Sequence, residues 1–275
     1  MTPAGTTTGT GTRGVDPTLR RALARAPHVA GAAALALVLA PALSVAVSLL
    51  GRLRVDAGVA RFVGSAALGS VVLVAAALAL ALPFGVAAGV HVASHPSTLL
   101  GKLARVAIDA LAGVPSIVVG VVAYALVVLP TGRFSVGAGA VALGVVAFPD
   151  VARATAELVA RAPSHLTETA LGLGVRPWRV TLFILLRSKR PALVRGVLLV
   201  ACRSLGEAAP LLFTSASGAA FEASFGSPMS SLAVEGFLSV HEADGGVRAA
   251  AIGLVLFAAA FATVALVRRE KRRSP

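Results

Sequence analysis

The sequence predicts an all-α, polytopic membrane protein, and three observations carry that expectation. Hydrophobic residues make up 57% of the 275-residue chain and charged residues only 13%, too few to solvate the surface of a soluble domain of this size. Mean hydropathy is +0.87. Apolar runs of about 20 residues recur along nearly the whole chain, each long enough to cross a ~30 Å hydrocarbon core as a helix.

Taken in order, residues 1–27 are rich in Thr, Gly and Arg without apolar periodicity and read as a disordered tail. Residues 28–50 form the first expected span. That run is too long for a signal-peptide core, lacks a small-residue cleavage site after it, and is expected to bend at Pro41. The second span is expected at 66–93, the third at 106–129, and a shorter Gly/Ala-rich fourth at 136–152. The fifth runs over 191–214, and the sixth, 247–267, ends in a basic tail at 268–275. One transmembrane domain, 28–267, therefore lies between two tails.

Six spans put both termini in one compartment, and most of the 25 Lys and Arg residues fall there. They lie in the N-terminal tail, beside Lys102 and Arg105, between the fourth and fifth spans, and in RREKRR at the end. The opposite loops hold few, and residues 215–246 carry Glu222, Glu235, Glu242 and Asp244 with no Lys or Arg. By the positive-inside rule both termini are cytoplasmic. The net charge of +13 thus reports topology, not nucleic-acid binding.

A single cysteine, Cys202, excludes an intrachain disulfide, and five scattered histidines give no zinc signature. The nearest approach to a metal pair is His91 with His95 at helical spacing, which reads better as polar residues at a membrane interface. Gly85 and Gly89 form a small-xxx-small pair suited to close helix packing. Asp109 and Asp150 fall near cytoplasmic span ends and read as interfacial.

The longest cytoplasmic segment, SHLTETALGLGVRPWRVTLFILLRSKRP, reads as two short helices. Ser164 can cap the first, on which Leu166, Ala170 and Leu173 share an apolar face. Gly174 can end it in the left-handed conformation, and Pro177 suits the first turn of the second. Trp178 then belongs at the membrane interface, and the apolar run 180–186 lies against the bundle. Periodicity alone leaves open whether this elbow is a linker or a handle.

Within the fifth span, Arg203 lies about 18 Å along the helix from Pro191, near the middle of the hydrocarbon core. A charge there costs at least about 2.5 to 3.5 kcal/mol on insertion scales. Glu207, four residues on, shares its helical face and can neutralise it. Two readings stand: an ion pair that ties helices together, or an arginine on a water-filled path that meets an anion, with Glu207 as counter-charge. The guanidinium fork suits an oxyanion. Pro210 leaves the Gly206 carbonyl without its helical donor, so Gly206 and Pro210 mark an expected hinge.

The spacing of Glu168, Thr169, Ala170, then Gly174, then Ile184 and Leu186 resembles the EAA loop of ABC transporter permeases. Thr169 replaces an alanine of that pattern and Arg187 its closing proline. The upstream segment FPDVARATAELV is similar to the entry of that loop, with Asp150 a departure. RSLGEAAPLLFT closely resembles a motif of the phosphate ABC transporter permeases, and LAGVPSIVVGVVAYAL and ALPFGVAAGVHVAS resemble that family's third- and second-span motifs. The resemblance covers roughly residues 62–214.

It implies a six-helix type I ABC permease (MetI-like) fold, a core at about 62–267, and a bacterial cell membrane location. The implied function is a subunit of an ATP-driven phosphate importer, with Arg203 and Glu207 on the substrate path. Implied partners are a second permease subunit, an ATPase subunit and an external phosphate-binding protein, together with membrane lipid. Glu168, Ala170, Gly174, Ile184 and Leu186 would couple to the ATPase. No GxxxxGK phosphate loop is present, so the chain is expected to be no enzyme and to bind no cofactor, with ATP and Mg used by the partner. The alternatives are a permease for sulfate, molybdate or tungstate, or an ATP-independent channel or phosphate-sensing scaffold.

Overall fold

In the computed structural model, which describes residues 57–162, 164–176, 179–215, 225–242 and 245–273, two long helices form the spine. The expected tail and first span lie outside the described residues. Helix α1, Ala57–Ser94, has 38 residues and covers the second expected span, extended at its N-terminus. It measures about 57 Å, more than a bilayer core requires. Helix α4, Val136–Ala160, has 25 residues, with the Ser135 hydroxyl accepting from the Ala138 amide as its N-cap.

These two helices pack along their length and run in the same direction. Leu73 and Ala77 of α1 meet Val136 and Leu143 near one end, and Val92 meets Ala152 near the other. Glycines set the approach. A Cβ on Gly85 would lie 2.8 Å from Cβ of Val151, and one on Gly89 would run into the Ala152 carbonyl oxygen. The small-xxx-small pair is therefore a close helix contact.

The third expected span is two helices, not one. Helix α2, Leu99–Gly113, and helix α3, Ser116–Thr131, meet at a bend of 97°. Pro115 causes it: a residue before proline is driven out of the helical region, and Val114 adopts φ −70°, ψ 128°. α3 contains a π-helical turn at Tyr124–Val128, where the Leu129 amide bonds to the Tyr124 carbonyl.

The fourth expected span continues past Ala152 to Ala160, and Pro149 is accommodated within it. Between α4 and the fifth span lie α5, Ser164–Gly172, and α6, a π-helical turn Val180–Leu185 continued by Leu186–Ser188.

The fifth expected span is broken. Helix α7, Arg190–Leu205, ends where the Gly206 amide turns back to the Arg203 carbonyl, and the short α8, Ala209–Leu212, follows. The expected loop 215–246 contains helix α9, Leu232–His241, capped by Ser231, with Leu232, Ala233, Val234 and Glu235 buried. Helix α10, Gly246–Arg273, covers the sixth expected span. Among the described residues three helices are long and apolar enough to cross a membrane, or four if the bent pair α2/α3 is one span. Large apolar side chains such as Phe84, Leu126 and Phe261 point outward, the arrangement a bilayer imposes.

Candidate functional site

α7 packs antiparallel on α4. Val200 lies against Ala147 and Val151, and Gly196 faces Ala154. Small residues here bring the two backbones together, and one turn beyond Val200 the same seam carries charge. Arg203 Nη1 donates to Asp150 Oδ2 at 2.7 Å, and its Nε stands 3.8 Å from Glu207 Oε1. The Arg203 side chain is 60% exposed, while Asp150 and Glu207 are 22% and 19% exposed. One cation thus lies open beside two better-shielded carboxylates.

Arg203 and Glu207 were expected to pair, and they are neighbours, but the shorter contact is to Asp150. Asp150 does not lie at the end of its helix, where the expected boundary at 152 put it. α4 runs on to Ala160, so Asp150 lies about 15 Å inside its end. The signal that could have revealed this is the apolar periodicity continuing through Val151 and Thr155, both fully buried.

A second pair stands one turn along α4. Arg153 donates from Nε and Nη2 to Asp109 Oδ1, at 3.1 and 2.7 Å, joining α4 to α2. Asp150, Arg153 and Glu157 follow at i, i+3 and i+7, so α4 carries a charged stripe on one face. A cleft of about 430 Å³ between α1, α2 and α4 is lined by Arg105, Asp109, Arg153 and Glu157. Side chains so charged do not face lipid at membrane depth. They require water or protein.

Gly206 sits in the break between α7 and α8. Pro210 is buried in α8 and meets α3, where a Cβ on Gly120 would lie 2.7 Å from Pro210 Cα. The expected hinge residues therefore bracket a discontinuity, with Pro210 anchored on its far side.

The elbow is a helix–turn–helix. Gly174 has φ +77°; its amide bonds to the Leu171 carbonyl at 2.9 Å and the Val175 amide to the Ala170 carbonyl at 3.1 Å. This is a Schellman ending of α5. Ala170, Val180 and Leu185 form a small buried core with Leu166, Val175 and Ile184 against it. Ala170 and Ile184 thus shape the elbow, Leu186 is half-buried, and Glu168 and Gly174 are exposed.

Leu173 does not share the apolar face of Leu166 and Ala170. The helix ends at Gly172, and the turn leaves Leu173 79% exposed. The side chain of Ser164, and Pro177 and Trp178, lie outside the described residues. His91 and His95 stack with ring centroids 5.0 Å apart at the end of α1.

Residues 81–273 match the family described as binding-protein-dependent transport system inner membrane components. The chain is 35% identical over 171 residues to the phosphate transport system permease protein PstA of Pasteurella multocida, covering 62% of this chain and 61% of that protein. It is 36% identical over 170 residues to the PstA of Xylella fastidiosa (strain Temecula1 / ATCC 700964), with 61% and 59% covered. The chain thus spans about six-tenths of the length of these relatives. A solved chain of the MetNI methionine ABC transporter, described as in inward-facing conformations, has a TM-score of 0.53 at 18% identity. The match covers 74% of this chain and 91% of that one, and it shows a shared fold.

Proposed function

Since the chain belongs to the family of binding-protein-dependent transport system inner membrane components, we propose that it is a PstA-type permease subunit of an ATP-driven phosphate importer in a bacterial cell membrane. The observation that carries this reading is Arg203, an open guanidinium in the last turn of α7, at the break in the fifth expected span, flanked by Asp150 and Glu207. Its remaining N–H groups can present a fork to an oxyanion. The names of the PstA relatives favour phosphate over sulfate, molybdate or tungstate.

The charged stripe of α4 faces a second, PstC-like permease across a water-filled path, which explains its exposure in the single chain. A PstS-like external binding protein delivers phosphate, and both termini lie in the cytoplasm. A PstB-like ATPase supplies ATP and Mg chemistry, so this chain catalyses no reaction itself. The elbow offers Glu168, Leu171, Leu173 and Gly174 to that ATPase, while Ala170, Ile184 and Leu186 hold its shape. ATPase closure moves the elbow, and the break at Gly206 lets α7 shift Arg203 relative to α8. Arg187 stands in the exit of the elbow, where a proline would have fixed the chain.

The test is ATP-dependent accumulation of radiolabelled phosphate in proteoliposomes holding both permeases and the ATPase, with the binding protein added outside. Accumulation that needs ATP and is competed by arsenate supports the reading. Equal flux without ATP would make the chain a channel, and preferential accumulation of sulfate or molybdate would reassign the substrate.

A further inference from the structure

We propose that Asp150, with Glu207, makes the Arg203 position select oxyanions that still carry a proton, such as hydrogen phosphate and hydrogen arsenate, over fully deprotonated ones such as sulfate and molybdate. The proposal rests on the anion path described above and adds the feature that decides which anion uses it. The position of Asp150 is fixed by contact: 2.7 Å from Nη1 of Arg203 across the α4/α7 seam.

A guanidinium only donates hydrogen bonds, and an ionised carboxylate only accepts them. An oxyanion that binds the other N–H groups of Arg203 on the Asp150 side can place a second oxygen within reach of a carboxylate oxygen of Asp150. Hydrogen phosphate answers both partners: its anionic oxygens accept from Arg203 and its O–H donates to Asp150, a short charge-assisted bond. Sulfate has no O–H at neutral pH. Its oxygen and the carboxylate oxygen would meet lone pair to lone pair, with no donor between them.

Charge does not separate hydrogen phosphate from sulfate, since both are dianions, so the discrimination falls to the O–H group. Arg203, Asp150 and Glu207 together carry a net negative charge, and the carboxylates are the more shielded members, so they do not swing freely into water. Sites built to bond a substrate hydroxyl reject analogues lacking it by large factors. Because Arg203 itself is largely exposed, the discrimination here is about tenfold or more rather than the full factor.

The full chain in lipid nanodiscs is titrated with potassium phosphate, arsenate or sulfate at matched ionic strength and followed by thermal unfolding. Phosphate and arsenate should raise the Tm of the wild type at concentrations at least about tenfold below sulfate. Asp150→Asn supplies an amide donor and should bring sulfate to within about threefold of phosphate, while Asp150→Glu keeps the acceptor and should keep the preference. Arg203→Ala should lose the response to all three.

Sulfate matching phosphate on the wild type, with a response that needs Arg203, overturns the selection and leaves the anion path standing. Persistence of the preference in Asp150→Asn overturns it too. No response to any oxyanion, or an unchanged response in Arg203→Ala, removes both. The wild-type comparison decides by itself if a variant does not fold.

Discussion

Arg203 has two carboxylate neighbours at unequal distances, 2.7 Å for Asp150 and 3.8 Å for Glu207, and only the first is within hydrogen-bond range. Asp150→Asn should therefore lower the Tm of the purified protein more than Glu207→Gln. Because Arg203 is exposed, the loss should be about 1 kcal/mol rather than the several expected of a buried pair. The reverse order would make Glu207 the main partner. Glu207 was legible in the sequence because an i, i+4 relation needs only a helix. Asp150, 53 residues from Arg203, was not, because its contact depends on how far α4 runs and on which face meets α7.

At the scale of elements, glycines show where backbone and packing decide. Gly174 at φ +77° has nothing near an added Cβ, so Gly174→Ala meets no clash and carries only the left-handed penalty, about 1 kcal/mol. Gly58, with open space and no positive φ, should tolerate alanine with no loss. Gly89→Val drives a side chain into the α4 backbone and should cost about 1 to 3 kcal/mol by overpacking. Thermal unfolding in nanodiscs ranks the three, and equal loss at Gly58 and Gly89 would contradict the α1/α4 packing.

The Schellman turn and the glycine contact were legible because each depends on local chemistry and spacing. The bend at Pro115 was written in the sequence, yet the unbroken hydropathy on either side made 106–129 read as one span. α9 was hidden differently. It is only ten residues long and carries a buried glutamate, so it read as a polar loop; tertiary burial between α1 and α10 holds it.

For the whole molecule, composition and charge asymmetry were enough to indicate a helical membrane protein, and the motif spacings pointed to its family. The charged cluster was less legible, because the stripe of α4 gains its partners only when α2 and α7 bring Asp109 and Arg203 to it. Coupling belongs to this scale. Leu173→Asp changes an exposed elbow residue remote from Arg203, so the nanodisc response to phosphate should persist while ATP-driven accumulation in proteoliposomes falls at least about tenfold. Full accumulation would remove the elbow from the ATPase contact.

If Arg203 meets the transported anion, phosphate uptake in cells dependent on this chain requires its guanidinium. At matched membrane abundance, Arg203→Ala should reduce uptake to background, with Arg203→Lys intermediate because it keeps the charge but loses the planar fork. Wild-type uptake by Arg203→Ala would exclude Arg203 from the anion's route.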